Sequence, residues 1–453
     1  MSRWNLAWLV GIPLVILLGL TLTYSAPPLR QREQNYELVR LLVEVLDEVD
    51  QNYVRDLDPA AKRKLVEDMV NGGLERLDPY SAFMNDHEFR QFERKSDGTF
   101  GGVGIQVGLD RITGALVVTT PLVGTPAYEA GILAGDQIVK IDGKALELVH
   151  STDAVELIQG PVGQPVTLTV VHEGQKKAVD ITVVRAEIKI ETVLGDRRKA
   201  DNPAEWDYVI DKDKKIAYIR LLEFERPTAD TLQKVLTQLE SEGVRGLVLD
   251  LRGNPGGLLT SAVAVSDLFL TNGRIVSTLG RKMPERVYEA KEAGTLFEPA
   301  AAHPIVVLLD KYSASASEIV AAALQDHGRA VIVGERSFGK GSVQNIYPME
   351  DHNTALKLTT QKYQRPSGKN IHRFPDSKES DEWGVSPNPG FEVKLTDEER
   401  FQFLVGRRKR DIVHGKPGVA PKEEKKDEKT PPFVDKVLDR ALEYLGSELD
   451  KKP

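Results

Sequence analysis

The sequence predicts a multi-domain α/β protein: an α/β core at about 188–415, a smaller β-rich module inserted ahead of it, and a helical region before that. Three observations carry this. From Ile216 onward, short buried-type strands alternate with helix-period segments: Ile216-Ala217-Tyr218-Ile219, an amphipathic stretch from Asp230 to Glu242, then Gly246-Leu247-Val248-Leu249-Asp250-Leu251 and a helical run from Leu258 to Leu270. Between Gly101 and Glu187, glycine turns separate short alternating strands. Between Tyr36 and Phe92, apolar residues recur at helical spacing, as at Leu38, Leu41, Leu42, Val45 and Leu46.

Length and charge set the outer limits. A chain of 453 residues is long enough for two or three domains with their own cores. With 28% charged residues and a net charge of −8, nothing in the composition suggests a nucleic-acid partner, and none is expected. The absence of cysteine excludes disulfides, thiolate catalysis and a cysteine-ligated zinc site.

In chain order, Arg3 is the lone charge before Leu6 to Tyr24, which carries none. Nineteen such residues approach the roughly 20 needed to cross a bilayer. The competing signal peptide lacks a good cleavage site, because Tyr24-Ser25-Ala26 runs into Pro27-Pro28. The expectation is an uncleaved, single-pass anchor over 1–28, with the rest of the chain exported to the periplasmic or extracytoplasmic side. Residues 29–97 follow as a helical region, with a second helix from Pro59 to Leu77 that ends at Leu77-Asp78-Pro79-Tyr80-Ser81.

The β-rich module spans 98–187. Gly101-Gly102-Val103-Gly104-Ile105-Gln106-Val107 is a glycine turn entering a strand, and Ala130-Gly131-Ile132 leads to Gly135-Asp136-Gln137-Ile138-Val139-Lys140-Ile141-Asp142-Gly143. A short helix, Thr152 to Gln159, and two more strands complete it. Over its whole length it resembles a PDZ domain. That resemblance implies a carboxylate held by backbone N–H groups around Gly102, Val103, Gly104, Ile105 and Gln106, with a peptide tail added as a strand. Gln159 stands just before the glycine that follows the short helix.

In the core, two strand-to-helix turns bear chemistry. Ile305-Val306-Val307-Leu308-Leu309 precedes Ser313-Ala314-Ser315-Ala316-Ser317-Glu318 and an alanine-rich helix. Small residues permit a sharp turn, and a serine there stands at a helix N-terminus, where free N–H groups suit a developing oxyanion. Three serines could also simply cap the helix. The other turn is Arg252-Gly253-Asn254-Pro255-Gly256-Gly257; its spacing fits neither nucleotide-binding fingerprint, and an oxyanion donor at Gly256 or Gly257 suits it better.

A serine needs a base. His327 lies twelve residues beyond Ser315, about three helical turns away, too far to touch it. Lys340, between Gly339 and Gly341 after the Val331-Ile332-Val333 strand, serves if burial keeps it neutral, and Gln344 could orient its amine. After the core, Lys416 to Pro432 reads as a charged linker, and 433–453 as an amphipathic helix with Val434, Val437, Leu438, Ala441 and Leu445 on one face.

Together these segments resemble the C-terminal processing peptidases, also called tail-specific proteases. The matching residues are S-A-S-A-S-E, F-G-K-G-x-V-Q, D-L-R-G-N-P-G-G, Leu77 to Ser81 and R-P-S-G-K-N-I from Arg365 to Ile371, across roughly 35 to 395. The resemblance implies a crotonase-like (Clp protease-like) core and a Ser-Lys dyad. It selects Ser315, twenty-five positions before Lys340, as nucleophile, and the N–H of Ala316 as an oxyanion donor. It further implies protein substrates with unstructured C-terminal tails, no metal or organic cofactor, and a homo-oligomer formed through the terminal helical regions. His372 to Glu382 departs from the short loop expected before the last core strand. A non-catalytic PDZ scaffold and a Ser-His hydrolase are the alternatives to be tested.

Overall fold

The computed structural model describes residues 29–110, 113–146, 151–349, 353–415 and 433–451. The apolar stretch expected as an anchor and the charged linker lie outside these residues. Among the described residues no helix is long and apolar enough to cross a membrane. The chain divides between Arg76 and Leu77 into two units.

The first unit contains two helices, Leu29–Asn52 and Pro59–Glu75. Asp58 caps the second by accepting from Ala61 N at 2.8 Å, with Pro59 at the first helical position, where no N–H is needed. Leu38, Leu41, Leu42 and Val45 are exposed, so the anticipated apolar stripe exists but is not buried.

Helical pattern does not hold as far as Phe92. After Asp78 the chain turns into a short strand, Ala82–Met84, before the Asp86–Ser96 helix, whose start is closed by a capping box of Asn85 and Glu88. That strand pairs antiparallel with Thr354–Gln364, joining an antiparallel sheet that also holds Ser342–Met349, Arg274–Gly280 and Arg286–Glu289. Residues 77–85 thus belong to the second unit and not to a helical region.

The core is a sheet ordered Val193–Leu194, Ile216–Leu221, Gly246–Asp250, Ile305–Leu309 and Ala330–Gly334, the last four parallel. Strands covered on both faces read as unbroken apolar runs, as Ile305–Leu309 does, with every residue buried. One face takes Ala217, Ile219, Leu247, Leu249, Val307 and Leu309 against the helices Thr228–Ser241, Leu259–Asp267 and Ala316–Asp326. The opposite face, Ile216, Tyr218, Val248, Val306 and Leu308, is covered by the C-terminal helix Lys436–Asp450 through Val437, Leu438, Ala441 and Leu445.

That last contact gives the amphipathic C-terminal helix its partner within the chain. Amphipathic spacing announces that one face is buried without saying against what. Here it buries against the chain's own sheet, and Arg252 ties the helix start to the core by pairing with Asp435 at 2.9 Å.

The inserted module is a sheet ordered Ile105–Leu109, Leu116–Pro121, Gln137–Ile141, Pro165–Val171 and Ala178–Val184, around a separate core that includes Val118, Ile132, Ile138, Leu168 and Val170. Strand Thr99–Gly102 pairs with Ala186–Lys189, so the two ends of the insertion leave side by side.

Candidate active site

The serine turn is built from the buried Ile305–Leu309 strand and the Ala316–Asp326 helix. Asp310 pins it by accepting from Tyr312 N and Gly253 N, both at 3.0 Å. The flanking serines are structural. Ser313 Oγ donates to Leu251 O at 2.8 Å and Ser317 Oγ to Asn254 O at 3.0 Å, and both residues are wholly buried. Ser315 alone of the three is partly exposed, and it sits at φ +56°, ψ −111°. A non-glycine residue in this region is held there by its surroundings against a cost of about 1–3 kcal/mol, which is how a nucleophile is lifted out of a sharp turn.

The glycine turn is stitched to the serine turn through Asn254. Its carbonyl accepts from Ala314 N at 3.0 Å as well as from Ser317, its Nδ2 donates to Leu221 O at 2.9 Å, and its Oδ1 accepts from Gly256 N at 2.8 Å. That last bond separates the two glycines. The Gly256 N–H is engaged internally, whereas the N–H groups of Gly257 and Ala316 have no hydrogen-bond partner among the described residues. Gly256 is instead the point of closest approach: a methyl there would lie 2.8 Å from Ser315 Cβ and 3.0 Å from Ala316 N. The N–H groups left free at the two turns are therefore those of Gly257 and Ala316, while that of Gly256 is taken up by Asn254.

Lys340 arrives from the Ala330–Gly334 strand. The group that joins it to Ser315 is Glu318, a buried carboxylate that the sequence shows only as the end of the serine run. Glu318 Oε2 accepts from Ser315 N and from Lys340 N, each at 2.8 Å. The two nitrogens are therefore separated by no more than twice that distance. Glu318 Oε1 accepts from Ser337 Oγ at 2.5 Å and Gly339 N at 2.6 Å. Burial pushes the Glu318 carboxyl up, and these four donors work against that push. The Tyr363 hydroxyl adds a second clamp, lying between Ser315 O (3.2 Å) and Lys340 O. The Ser-x-x-Glu spacing of a capping box was a legible signal for Glu318; its reach to residues 337–340 was not.

No hydrogen bond joins Ser315 Oγ to Lys340 Nζ; the amine stands 4.5 Å from the Tyr80 ring centroid. Burial holds Lys340 below the ordinary lysine range, the Lys357 charge pushes it further down, and Glu318 and Asp78 pull the other way. The signs yield a test. Lys357→Met removes the neighbouring cation, so the pH at which Lys340 loses its proton rises. The ascending limb of kcat/KM should then move to higher pH, with slower cleavage at neutral pH; an unmoved profile would rule out the Lys357 contribution.

Gln344 lies in the Ser342–Met349 strand opposite Thr359, beside a bulge, and its Nε2 is 3.0 Å from both Ser342 Oγ and Thr359 Oγ1. The 372–382 segment braces the lysine turn, with Arg373 N donating to Gly339 O at 2.9 Å. Its backbone passes so close to Gly341 that a methyl there would lie 2.7 Å from His372 N, which is why glycine stands at that position. His327 is remote: it terminates the serine helix, and its Nε2 donates to Arg274 O at 2.8 Å.

In the inserted module, Ile105–Leu109 is an edge strand, bonded on one side to Leu116–Pro121. The N–H groups of Val103 and Gly104, just before it, have no partner among the described residues. Gly102 does not join them, since it is paired opposite Ala186. Val103 turns its side chain into the module core, while Gln106 is exposed. A groove of about 1150 Å³ is bounded on one side by this strand and the Ser151–Ile158 helix, through Val107, Leu109 and Val155, and on the other by the Asp86–Ser96 helix, through Arg90, Arg94 and Lys95. At the end of the Ser151–Ile158 helix, beside Gln159, the buried Arg185 donates to Leu157 O and Ile158 O.

Residues 215–382 match peptidase family S41, and residues 117–171 match a PDZ domain. The chain is 38% identical over 411 residues to the carboxy-terminal-processing protease of Bartonella bacilliformis, with 87% of each chain covered. It is 34% identical over 326 residues to the carboxy-terminal processing protease CtpB of Bacillus subtilis, covering 72% of this chain and 64% of that one. Among solved structures, a photosystem II D1 C-terminal processing protease aligns at 28% identity with a TM-score of 0.41, over 78% of this chain and 86% of that one. With a serine turn, a glycine turn and a PDZ module all present in one chain, and with this similarity extending over most of its length, the chain belongs to the carboxy-terminal processing proteases of peptidase family S41.

Proposed function

We propose that this tail-specific serine protease cleaves with Ser315 as nucleophile and Lys340 as general base. The single observation that supports the pairing is Glu318, whose one oxygen holds the backbone N–H of both residues. In this scheme neutral Lys340 takes the hydroxyl proton as Ser315 Oγ bonds to the scissile carbonyl carbon. The carbonyl oxygen, now negative, is received by the N–H groups of Ala316 and Gly257. The C–N bond breaks as the Lys340 proton passes to the leaving amine, and water then releases the acyl group by the same steps in reverse. Gln344 steadies the lysine.

The substrate's C-terminal tail adds as a strand along Ile105–Leu109, its carboxylate facing the free N–H groups of Val103 and Gly104, and an apolar last side chain suits the side of the groove formed by Val107, Leu116 and Val155. The charge-free stretch from Leu6 to Tyr24 supports a membrane anchor, with the catalytic part on the extracytoplasmic side. Loss of membrane-fraction enzyme on deleting residues 1–28 tests the anchor, and unchanged fractionation refutes it.

The chemistry is tested with a tail-bearing protein and the variants Ser315→Ala and Lys340→Ala. Each should cut cleavage by about 10³-fold or more, while a tail peptide still binds. Cleavage at the wild-type rate by either variant removes the assignment.

A further inference from the structure

The turn Leu77 to Ser81 plays no part in the scheme above, yet its Asp78 is wired to the site. Asp78 Oδ1 accepts from Tyr80 N at 2.8 Å, Ser81 N at 2.9 Å and Thr359 Oγ1 at 3.0 Å, and Oδ2 accepts from Ser81 Oγ at 2.7 Å. Ser81 Oγ in turn accepts from Thr359 N at 3.0 Å. Burial opposes the charge on Asp78, but the donors from Ser81, Tyr80 and Thr359 outweigh it and hold the carboxyl below its usual range.

An ionised carboxylate only accepts, so the single hydroxyl hydrogen of Thr359 points at Asp78. What Thr359 Oγ1 offers on its other side is then a lone pair. The Gln344 atom 3.0 Å away must therefore be the amide NH2, not the carbonyl oxygen. Ser342 Oγ, also at 3.0 Å, takes the second amide hydrogen. This leaves Gln344 Oε1 as the free end, with no hydrogen-bond partner among the described residues. The same turn carries Tyr80, whose ring lies 4.5 Å from Lys340 Nζ, so the wiring and the amine are neighbours.

We infer that Asp78, acting through Thr359, sets the amide of Gln344 with its carbonyl oxygen turned toward the Lys340 amine, making Asp78 and Thr359 positioning residues of the reaction. This rests on the assignment of Ser315 and Lys340 as the reacting pair. The chemical reason is direction. A neutral amine that acts as base must aim its lone pair at the serine hydroxyl, so its N–H bonds need acceptors elsewhere. Gln344 Oε1 is such an acceptor. A flipped amide would instead present N–H groups that compete for the lone pair.

The experiment uses the full chain and a fluorogenic peptide with an apolar C-terminus. Kcat and KM are measured for Thr359→Val, Thr359→Ser, Asp78→Asn, Gln344→Ala and the Thr359→Val/Gln344→Ala double variant, together with melting temperature and tail-peptide affinity. Thr359→Val, which keeps the Asp78 charge but can neither donate nor accept, is expected to lower kcat about 10-fold with KM unchanged, and Thr359→Ser to restore most of it. Asp78→Asn, whose amide can reverse the direction of the whole chain, is expected to do the same. In the double variant the Thr359 substitution should add little to the Gln344 loss.

Wild-type kcat in Thr359→Val, or losses that multiply in the double variant, overturns the inference. Should Asp78→Asn fail to fold, the Thr359 Val and Ser pair decides alone. Should Ser315→Ala or Lys340→Ala cleave normally, it is the underlying assignment that falls. A silent Thr359→Val in an enzyme that still needs both residues sinks only the positioning role.

Discussion

Glu318→Gln should leave a folded enzyme that cleaves tail peptides about 10³-fold more slowly and melts several degrees lower. The carboxylate accepts from four groups: Ser315 N and Lys340 N on one oxygen, Ser337 Oγ and Gly339 N on the other. An amide keeps one accepting oxygen and turns an NH2 toward the remaining donors. With the NH2 toward Ser315 and Lys340, two N–H groups lose their acceptor. Turned the other way, the Gly339 N–H loses its acceptor while the Ser337 hydroxyl can accept instead. One or two groups are thus orphaned in a wholly buried place, at about 1–3 kcal/mol each. The alternative effect has the opposite sign. The Glu318 charge pulls the Lys340 pKa up, so removing the charge would by itself enlarge the neutral, active fraction of lysine. A large loss of kcat therefore reports lost geometry, not lost charge. Retention of more than a tenth of wild-type kcat would show that Glu318 does not hold the two residues in register.

The second large effect is expected at Gly256. This residue is at φ +105°, a backbone region costly for any residue with a side chain, and a methyl would meet Ala314 O and Ser315 Cβ at 2.8 Å and Ala316 N at 3.0 Å. None of these can yield without moving Ser315 or the Ala316 N–H. Gly256→Ala is accordingly expected to lower kcat by about 10²–10³, the range for losing one oxyanion donor, while tail-peptide affinity is unchanged because the inserted module is untouched. Wild-type kcat in Gly256→Ala would mean that the glycine turn does not set the oxyanion pocket.

The two turns differ in how much of them could be read in advance. The serine run and the glycines announced themselves because strand, tight turn and helix are local, and small residues at a turn have a steric cause; resemblance to a family then singled out Ser315. The choice between Gly256 and Gly257 was closed to that approach. It depends on where the Asn254 side chain points, and Asn254 is placed by Leu221, Ala314 and Ser317 from elsewhere in the chain. Gly102 illustrates the same limit: a glycine run looked like a single binding turn, but half of it is taken up in a ladder with Ala186–Lys189.

Periodicity also misjudged partners while finding faces. The C-terminal helix has the amphipathic pattern it was expected to have, and the structure decides that its apolar side covers Ile216, Tyr218 and Val248. The exposed stripe at Leu38, Leu41 and Leu42 shows the converse, a pattern whose partner is not within its own two-helix unit.

Residue order marked most strands and helices and the serine and glycine turns, because those follow from short-range sterics and spacing, while Ser315 and Lys340 were singled out as a pair by resemblance to a family. It could not disclose that Glu318 gathers residues 315 and 340 onto one oxygen, or that Asp78 reaches Thr359 across 281 positions. Those are hydrogen bonds between segments that meet only after the sheets have formed, and no local propensity encodes which distant donor a buried carboxylate will find.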